Sequence, residues 1–400
     1  MYQQRIVIVG AGIVGLSTAY ALLSQGMKRV TVLEQETVDH RRATSHGSSR
    51  LLRFEYGYDT FYSEMVMLSL SRWLHLERIT KRTLYKRTGL LVLGEEEDGF
   101  TLPSYQALRG LGLPVERLTE QHCRERFPQF ATQAFDRITY NIEAGILHAS
   151  ASLHALKEVV LEMGGEICEA SRVTAVISDS QRQPVRLRLR NGDEVRAERV
   201  VLATGPWVHR LLADLQLPVR LTRQYLFYFG GLPIGSFGVN RFPAFLADEL
   251  YGFPIHSTYK GRESLWLKAA SHIPGPLVDP DEDSVLNEHS VARALVELEA
   301  LIPALRHAVL AHIDPCIYDL TPDENFIIDT LPHDTRVVFA TGLSGHGFKF
   351  GLLLGELLSS MVCGTEPIVS TGRFRLARFA SSQRREESQV TYADNWRNTA

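Results

Sequence analysis

The amino-terminal stretch RIVIVGAGIVGLSTAYALLSQGMKRVTVLE, residues 5–34, decides the fold class. It opens with Arg5–Val9 and closes with Val30–Leu33, two mostly β-branched runs that predict strands buried on both faces. Leu16–Leu23 lies between them and predicts a helix. Because strands joined by such a helix run parallel through a right-handed crossover, the sequence predicts an α/β fold with a parallel sheet.

Three glycines, Gly10, Gly12 and Gly15, follow the first strand in the spacing G-x-G-x-x-G. The first permits a tight turn, the second lets the backbone approach a pyrophosphate, and the third allows close packing of helix on strand. Glu34 ends the second strand, where a carboxylate binds a ribose diol and disfavours a 2′-phosphate. These features predict a dinucleotide site that does not take NADP. The alternative is a glycine-rich packing turn, and the motif alone does not separate NAD from FAD.

Later segments indicate a discontinuous dinucleotide domain. Arg199–Leu202 and Val337–Ala340 predict further buried strands, and Leu352–Val362 has the apolar density of a core helix. In an FAD protein the isoalloxazine lies far from the adenosine, so distant parts of the chain must return to cover it, which favours FAD. The predicted division is an FAD-binding domain of residues 1–85, 145–215 and 320–379, a mainly antiparallel substrate domain of residues 86–144 and 216–319, and a polar tail at 380–400.

Composition narrows the class of protein. The 400 residues contain 43 Lys and Arg against 46 Asp and Glu, a net charge of −3, which argues against a nucleic-acid or polybasic membrane surface. The four cysteines form no zinc-type spacing, so we expect no metal site and no disulfide framework. The uncharged stretch Ile6–Met27 could suggest a membrane span, but its glycine spacing favours a buried strand and helix. We expect a cytoplasmic protein.

Several dispersed segments match one known family in order along the chain. They are Ser45–Arg53, Gly89–Gly94, Ala203–Trp207, Tyr251–Pro254 continuing to Lys268 and His272, Cys316–Tyr318 followed by Thr321–Asp329, and Gly342–Phe350. Together with the glycine turn, they resemble monomeric sarcosine oxidase, N-methyltryptophan oxidase and L-pipecolate oxidase from residue 5 to about residue 379. The resemblance implies a Rossmann-type FAD-binding domain with a second, mainly antiparallel β domain, the D-amino acid oxidase/sarcosine oxidase fold.

The resemblance also implies how cofactor and substrate are held. In this family the flavin is joined through its 8α-methyl group to a cysteine, and Cys316 stands at the matching position; the alternative is a small buried hydrophobic residue. Arg53 and Lys349 match the two cations that bind a substrate carboxylate, and Arg50 matches a cation beside the flavin. For any single arginine the alternative is a solvated surface charge.

Further residues are implied as catalytic by the same resemblance. Lys268 matches the lysine that faces flavin N5 through water and activates oxygen; the alternative is an edge-strand lysine that prevents aggregation. Tyr251 and His272 would orient the amine, and His346 would lie against the flavin ring. The predicted cofactor contacts are Gly10, Gly12, Ile13, Val14, Gly15, Glu34, Gln35, Ser45, His46, Ser49, Arg50, Val173, Ala203, Gly205, Trp207, Cys316, Gly342, Gly345, His346, Gly347 and Lys349.

The implied reaction is oxidation of a secondary or N-methyl amino acid, such as sarcosine or pipecolate, to the imine, with reduction of O2 to H2O2. Three alternatives stay open: a dehydrogenase that passes electrons to a quinone or carrier protein, an oxidase of glycated amino acids, and a non-catalytic flavin-binding protein. Between Pro254 and Lys268 the chain is more polar than sarcosine oxidase, with His256, Tyr259, Lys260, Arg262 and Glu263, which suggests a larger or more polar substrate. The family favours a monomer.

Overall fold

The computed structural model of the chain describes residues 2–95, 98–178, 182–256, 266–283 and 285–380. Tyr259, Lys260, Arg262, Glu263 and the tail from residue 381 onward lie outside the described residues. In chain order the strands are β1 (Arg5–Val9), β2 (Arg29–Leu33), β3 (Arg50–Leu52), β4 (Tyr85–Arg87), β5 (Leu90–Gly94), β6 (Val115–Leu118), β7 (Arg137–Asn141), β8 (Gly145–Leu147), β9 (Glu166–Cys168), β10 (Val173–Ile177), β11 (Val185–Leu189), β12 (Glu194–Ala197), β13 (Arg199–Leu202), β14 (Arg220–Gly230), β15 (Ala244–Ala247), β16 (Leu250–Phe253), β17 (Leu267–Ser271), β18 (Val309–Leu320), β19 (Ile327–Leu331) and β20 (Asp334–Thr341).

The helices differ greatly in length. They are α1 (Ile13–Ser24), α2 (Thr60–Thr80), α3 (Thr101–Gly110), α4 (Glu120–Arg126), α5 (Ala149–Glu162), α6 (Val208–Leu211), α7 (Ile234–Phe237), α8 (Glu288–Leu301) and α9 (Gly351–Cys363). The first predicted helix begins at Ile13 rather than Leu16, because the last glycine of the turn is already helical. Within the described part of the chain, none of these helices is both long and apolar enough to cross a membrane.

A six-stranded sheet carries the glycine turn. Its order is β19-β20-β13-β1-β2-β9, and every neighbouring pair is parallel except β19–β20. The predicted strands at residues 5–9, 30–33, 199–202 and 337–340 are all confirmed here. Along β1, Ile6 and Ile8 pack into one core cluster while Val7 and Val9 pack into another. This alternation buries both faces of the strand, as its uninterrupted apolar sequence predicts.

Helices cover one face of this sheet and a small sheet covers the other. α1 packs against α9 and α5 on the first face. β10, β11 and β12 form an antiparallel sheet whose Val185 and Leu187 share a core cluster with Val7 and Val9 of β1. The carboxyl ends of β1, β13 and β20 face a second structural unit.

An eight-stranded sheet forms that second unit. Its order is β18-β14-β17-β16-β15-β5-β7-β6, and only β5–β15 is a parallel pair. Its mainly antiparallel character confirms the predicted fold class, whereas the predicted domain boundaries stay a prediction. β17 lies between β14 and β16. Lys268 is therefore in the interior of the sheet, and the edge-strand reading of this lysine is wrong.

Candidate active site

A cavity opens at the carboxyl edge of the six-stranded sheet and encloses about 1290 Å³, the solvent at its mouth included. Segments that are far apart in the chain line it, as is usual where parallel strands end. Of the predicted cofactor residues, the structure brings together along this cavity Gly10, Gly12, Ile13, Val14, Glu34, Gln35, Ser45, Arg50, Val173, Ala203, Gly205, Trp207, Cys316, Gly345 and Gly347. The predicted contacts that are not in the lining are Gly15, His46, Ser49, Gly342, His346 and Lys349.

The glycine turn is shaped by close backbone contacts. Gly10 has a φ of +101°, and a Cβ there would lie 2.4 Å from the carbonyl oxygen of Ala203. A Cβ on Gly15 would lie 1.9 Å from the carbonyl oxygen of Gly10. Real Cβ atoms do not approach backbone oxygens so closely, so both positions require glycine. Gly15 therefore allows the close packing of the turn but is not part of the cavity lining.

Polar side chains fix the turn and its surroundings. Glu34 is 5% exposed, and its carboxylate accepts hydrogen bonds from the backbone nitrogens of Ala11 at 2.8 Å and Glu36 at 3.1 Å. Ser45 Oγ accepts a hydrogen bond from the backbone nitrogen of Ile13 at 3.0 Å. No acidic residue lies in the first turn of α1, so the positive end of the helix dipole is not neutralised from within the helix.

Arg50 holds the segment before β3 in place. Its guanidinium donates to the carbonyl oxygens of Thr44 at 2.7 Å, His46 at 2.5 Å and Ser49 at 2.8 Å. His46 pairs instead with Asp39, whose Oδ1 lies 2.8 Å from Nδ1 of the histidine. The arginine thus lines the cavity while it organises the backbone around it.

Cys316 lies on β18 and faces the same cavity. Its thiol is not in a disulfide, it is half-buried, and the neighbouring Ile317 and Tyr318 also line the cavity. Register places Cys316 opposite Gln224 of β14. A free thiol from the eight-stranded sheet therefore lies at the edge of the six-stranded sheet.

A cluster of two cations lies beside this cavity. The Arg53 guanidinium is 4.4 Å from the ring centroid of Tyr56, and Lys349 Nζ is 5.2 Å from the same centroid. Lys349 is 3% exposed and donates to the carbonyl oxygen of His346 at 3.0 Å. Burial and the positive charge of Arg53 lower the pKa of Lys349 well below its usual range, which the negative charge of Glu55 opposes. A bound anion would stabilise both cations.

Two histidines next to the cations are neutral. Burial, Arg53 and Lys349 lower the pKa of His272 to about 3, and burial with the charge of Lys349 lowers that of His346 well below its usual range. His346 Nε2 lies 3.1 Å from the carbonyl oxygen of Glu324, and its Nδ1 lies 3.1 Å from the hydroxyl of Tyr56. Since a carbonyl only accepts, Nε2 carries the proton and Nδ1 accepts from Tyr56.

Tyr318 connects the predicted catalytic residues, although it is not one of them. Its hydroxyl lies 3.3 Å from that of Tyr251 and 3.4 Å from His272 Nδ1, and the rings of Tyr251 and His272 stack at 4.4 Å. A Cβ on Gly345 would come within 2.6 Å of the Tyr318 ring. The available signal was its spacing, since Tyr318 follows Cys316 by two residues and residues two apart in a strand share a face.

Lys268 lies deep in the eight-stranded sheet. It is 2% exposed, donates to the carbonyl oxygen of Ser49 at 2.9 Å, and lies 5.0 Å from the ring centroid of Phe253. Burial and the charge of Arg50 lower its pKa well below the usual range. Ser49 is fully buried and serves here as a backbone acceptor for the lysine.

Comparisons with known proteins agree with this architecture. The family described as FAD dependent oxidoreductase matches residues 5–361. Peroxisomal sarcosine oxidase of Mus musculus is 32% identical over 94% of this chain and 96% of its own length. N-methyl-L-tryptophan oxidase of Yersinia pestis (strain Pestoides F) is 29% identical over 94% of this chain and 99% of its own. The crystal structure of glycine oxidase from Geobacillus kaustophilus has a TM-score of 0.77 at 21% identity, covering 94% of this chain and 99% of that one.

The chain therefore belongs to the FAD dependent oxidoreductase family. It is a flavin-dependent amine oxidase of the sarcosine and N-methyltryptophan oxidase type, and the resemblance seen in its motifs is confirmed.

The residues of the cavity fit FAD on their own chemistry. The turn at Gly10 has no room for a side chain, and α1 begins beside it. Thr204 Oγ1 and Thr341 Oγ1 are buried without a hydrogen-bond partner in the described part of the chain, and both residues line the cavity. Buried hydroxyls of this kind are normally satisfied, so a polar ligand is the expected partner. A phosphate-bearing cofactor supplies the acceptors that these groups lack.

Proposed function

We propose that the protein oxidises a secondary or N-methyl α-amino acid, such as sarcosine or pipecolate, to the imine and reduces O2 to H2O2. The observation that carries the proposal is that Arg53 and Lys349 lie 4.4 Å and 5.2 Å from the ring centroid of Tyr56, next to the neutral imidazole of His272. We also propose that the six-stranded sheet holds the dinucleotide and that the eight-stranded sheet covers the substrate. The cytoplasmic location and monomeric state stay predictions.

Arg53 and Lys349 are proposed to bind the substrate carboxylate. A planar guanidinium suits two-point contact with a carboxylate, and the ammonium adds a second charge. Without an anion, two like charges close together in partly desolvated surroundings repel one another. Binding of the carboxylate relieves this repulsion, so the affinity should come chiefly from these two residues.

Tyr251, His272 and Tyr318 are proposed to orient the amine. An amine must be neutral to give up a hydride. A positive charge next to the amine disfavours its protonation and provides no negative charge to stabilise the protonated form. Because His272 is neutral, it can accept or donate a hydrogen bond without adding a further charge. FAD held in the cavity would supply the hydride acceptor and the route by which two electrons reach O2.

Lys268 is proposed to promote the reduction of oxygen. Because burial and Arg50 disfavour its ammonium form, a negative charge nearby is needed to hold the proton. Oxygen gains negative charge as it is reduced, so the lysine binds its proton most strongly when that charge develops. The carbonyl oxygen of Ser49 fixes the direction of the amine.

Cys316 is proposed to carry the flavin through an 8α-thioether. The support is its free thiol on the cavity wall, in the same lining as Arg50. Acid-denatured protein should stay yellow after the precipitate is washed, and Cys316→Ala should release the colour. A colourless precipitate from the unaltered protein would refute the covalent bond without affecting the assignment of FAD.

The reaction is tested by a panel of amines assayed for peroxide in air without an added acceptor. We expect peroxide with N-methyl or cyclic secondary amino acids, and less with the matching amines that lack a carboxylate. In stopped-flow measurements Lys268→Met should slow reoxidation by about 100-fold, the lower range for loss of one stabilising group, and change reduction only a few-fold. Reduction of the enzyme by substrate without peroxide release would instead indicate a dehydrogenase.

A further inference from the structure

A buried carboxylate, Glu55, lies directly beside the two cations of the proposed substrate site. It is 1% exposed and follows Arg53 by two residues, between β3 and α2. Its Oε1 accepts a hydrogen bond from Asn141 Nδ2 at 2.8 Å, and its Oε2 accepts one from the backbone nitrogen of Phe54 at 2.9 Å. The proposed reaction gives this residue no role, although a fully buried acid is uncommon unless it is paired.

The charge of Glu55 is coupled to both cations. Arg53 donates a hydrogen bond to the backbone carbonyl oxygen of Glu55. Burial raises the pKa of the Glu55 carboxyl, while Asn141 and the charge of Arg53 oppose that rise. In turn, the negative charge of Glu55 supports the protonated form of Lys349. Arg53 therefore favours the charged form of Glu55, and Glu55 favours that of Lys349, whereas Arg53 opposes the charged form of Lys349.

The charge states of Arg53, Lys349 and Glu55 together determine the net charge at the proposed substrate site. With Arg53 and Lys349 protonated and Glu55 ionised, the cluster carries one net positive charge. Another acid near Tyr56, Asp59, is already paired with Arg373 at 2.7 Å. One substrate carboxylate makes the cluster neutral. A second carboxylate would lie close to Glu55 without a cation of its own, and uncompensated anions in buried sites are costly.

We propose that Glu55 sets the charge selectivity of the substrate site: the enzyme takes N-substituted amino acids with a single carboxylate and disfavours those with two. The inference deepens the proposed function and rests on it, because it assumes that Arg53 and Lys349 bind the carboxylate. Glu55→Gln removes the negative charge at nearly constant volume. The cluster of this variant has two net positive charges and accommodates a dicarboxylate.

The test compares malonate with its monoamide, malonamate, which have similar shapes and differ by one negative charge at pH 8. Isothermal titration calorimetry gives the dissociation constant of each for the oxidised holoenzyme. We expect the unaltered enzyme to bind malonamate at least as tightly as malonate. In Glu55→Gln the ratio should shift toward malonate on the order of tenfold or more, because the variant removes one unit of negative charge beside the second carboxylate.

A control variant separates charge from packing. Glu55→Asp keeps the charge but shortens the side chain, and it should retain the ratio of the unaltered enzyme. A shift in Glu55→Asp as large as in Glu55→Gln would assign the effect to packing and overturn the proposal.

The unaltered enzyme also provides a test that needs no variant. Tenfold tighter binding of malonate than of malonamate would overturn the charge selectivity, even if Glu55→Gln fails to fold. An unchanged ratio in a folded Glu55→Gln would overturn it as well. Failure of the proposed function looks different: neither anion binds, or Arg53→Met leaves both dissociation constants unchanged.

Discussion

The cavity at the edge of the six-stranded sheet and the cation cluster beside it use different means to create a binding site. In the cavity, backbone shape dominates: Gly10 and Gly15 approach other backbone atoms so closely that no side chain fits. In the cluster, side chains dominate: Arg53, Tyr56 and Lys349 come from segments almost 300 residues apart and interact through charge and ring contacts. The steric requirements of a turn are therefore local in sequence, whereas a buried charge cluster exists only after the chain has folded.

The largest effect is expected in the cluster. Arg53→Met should lower kcat/KM for a carboxylate-bearing amine on the order of 1000-fold, since removing one partner of a buried charge pair costs about 2–5 kcal/mol. Steady-state peroxide assays measure this value, and the yellow colour of the protein should be retained. Arg87→Met is the matched control, because Arg87 is exposed and pairs with Glu143. Equal losses for amines with and without a carboxylate would argue against a carboxylate-binding role.

The next largest effect is expected in the cavity. Gly15→Ala places a Cβ 1.9 Å from a backbone oxygen and should displace the turn. We expect the fraction of chains that carry FAD after purification to fall below about one tenth, since backbone atoms in a close-packed interior cannot yield as side chains do. The ratio of absorbance at 450 nm to that at 280 nm measures it. Gly110→Ala is the control, because nothing lies within 4 Å of its added Cβ and its φ is not positive; a normal FAD content in Gly15→Ala would refute the steric argument.

A third prediction concerns Asp319, a buried acid in the wall of the cavity. Asp319 lines the cavity, accepts a hydrogen bond from the backbone nitrogen of Leu343 at 3.1 Å, and burial raises its pKa to about 6. Between about pH 4 and pH 6 the folded protein keeps the proton that the unfolded chain has released. The contribution of Asp319 to stability is therefore complete below about pH 4 and is lost as the pH rises through about 6.

Urea unfolding from pH 4 to pH 7 measures this dependence. Over that interval the free energy of unfolding should fall by about 2 kcal/mol relative to Asp319→Asn, slightly less than a full two-unit pKa shift implies. Asp214→Asn, at an exposed aspartate, should keep the slope of the unaltered protein. Parallel pH profiles for the unaltered protein and Asp319→Asn would show that burial does not retain the proton.

The smallest effect is expected at Tyr318. Tyr318→Phe removes the hydroxyl that lies between Tyr251 and His272 but keeps the ring that Gly345 packs against. Loss of one net hydrogen bond, about 1 kcal/mol, should lower kcat/KM roughly 5-fold. Tyr58→Phe serves as the control at an exposed position. A loss above about 100-fold would mean that the hydroxyl takes part in the reaction itself.

The sequence predicts the four inner strands of the six-stranded sheet for a physical reason, but it does not predict the edge strands β9 and β19. Strands buried on both faces have continuous apolar sequences, so Arg5–Val9 and Arg199–Leu202 are recognised with their observed bounds. The second strand and the last helix, Arg29–Leu33 and Gly351–Cys363, each extend beyond the predicted range by a residue or two. Ends of elements depend on capping and on tertiary contacts, which periodicity does not encode.

The candidate site is predicted less completely. Most of the predicted cofactor residues line the cavity, but six do not: Gly15, His46, Ser49, Gly342, His346 and Lys349. Glu55 is not among the predicted residues, because a single acid has no periodic or spaced pattern. Tyr318 is not among them either, although its spacing of two residues from Cys316 places both on one face of a strand. Their importance depends on burial and on neighbours from other segments, such as Asn141 for Glu55.

Sequence patterns alone predict a parallel strand–helix–strand unit at the start of the chain, a glycine turn that suits a dinucleotide, and motifs that resemble those of amine oxidases. Apolar periodicity and the steric needs of a turn are local properties, so they can be read in chain order. The folded structure was needed to show that Lys268 lies inside a sheet rather than at its edge, and that a buried carboxylate accompanies the two cations. Burial and electrostatic coupling depend on which segments meet, and the fold alone brings those segments together.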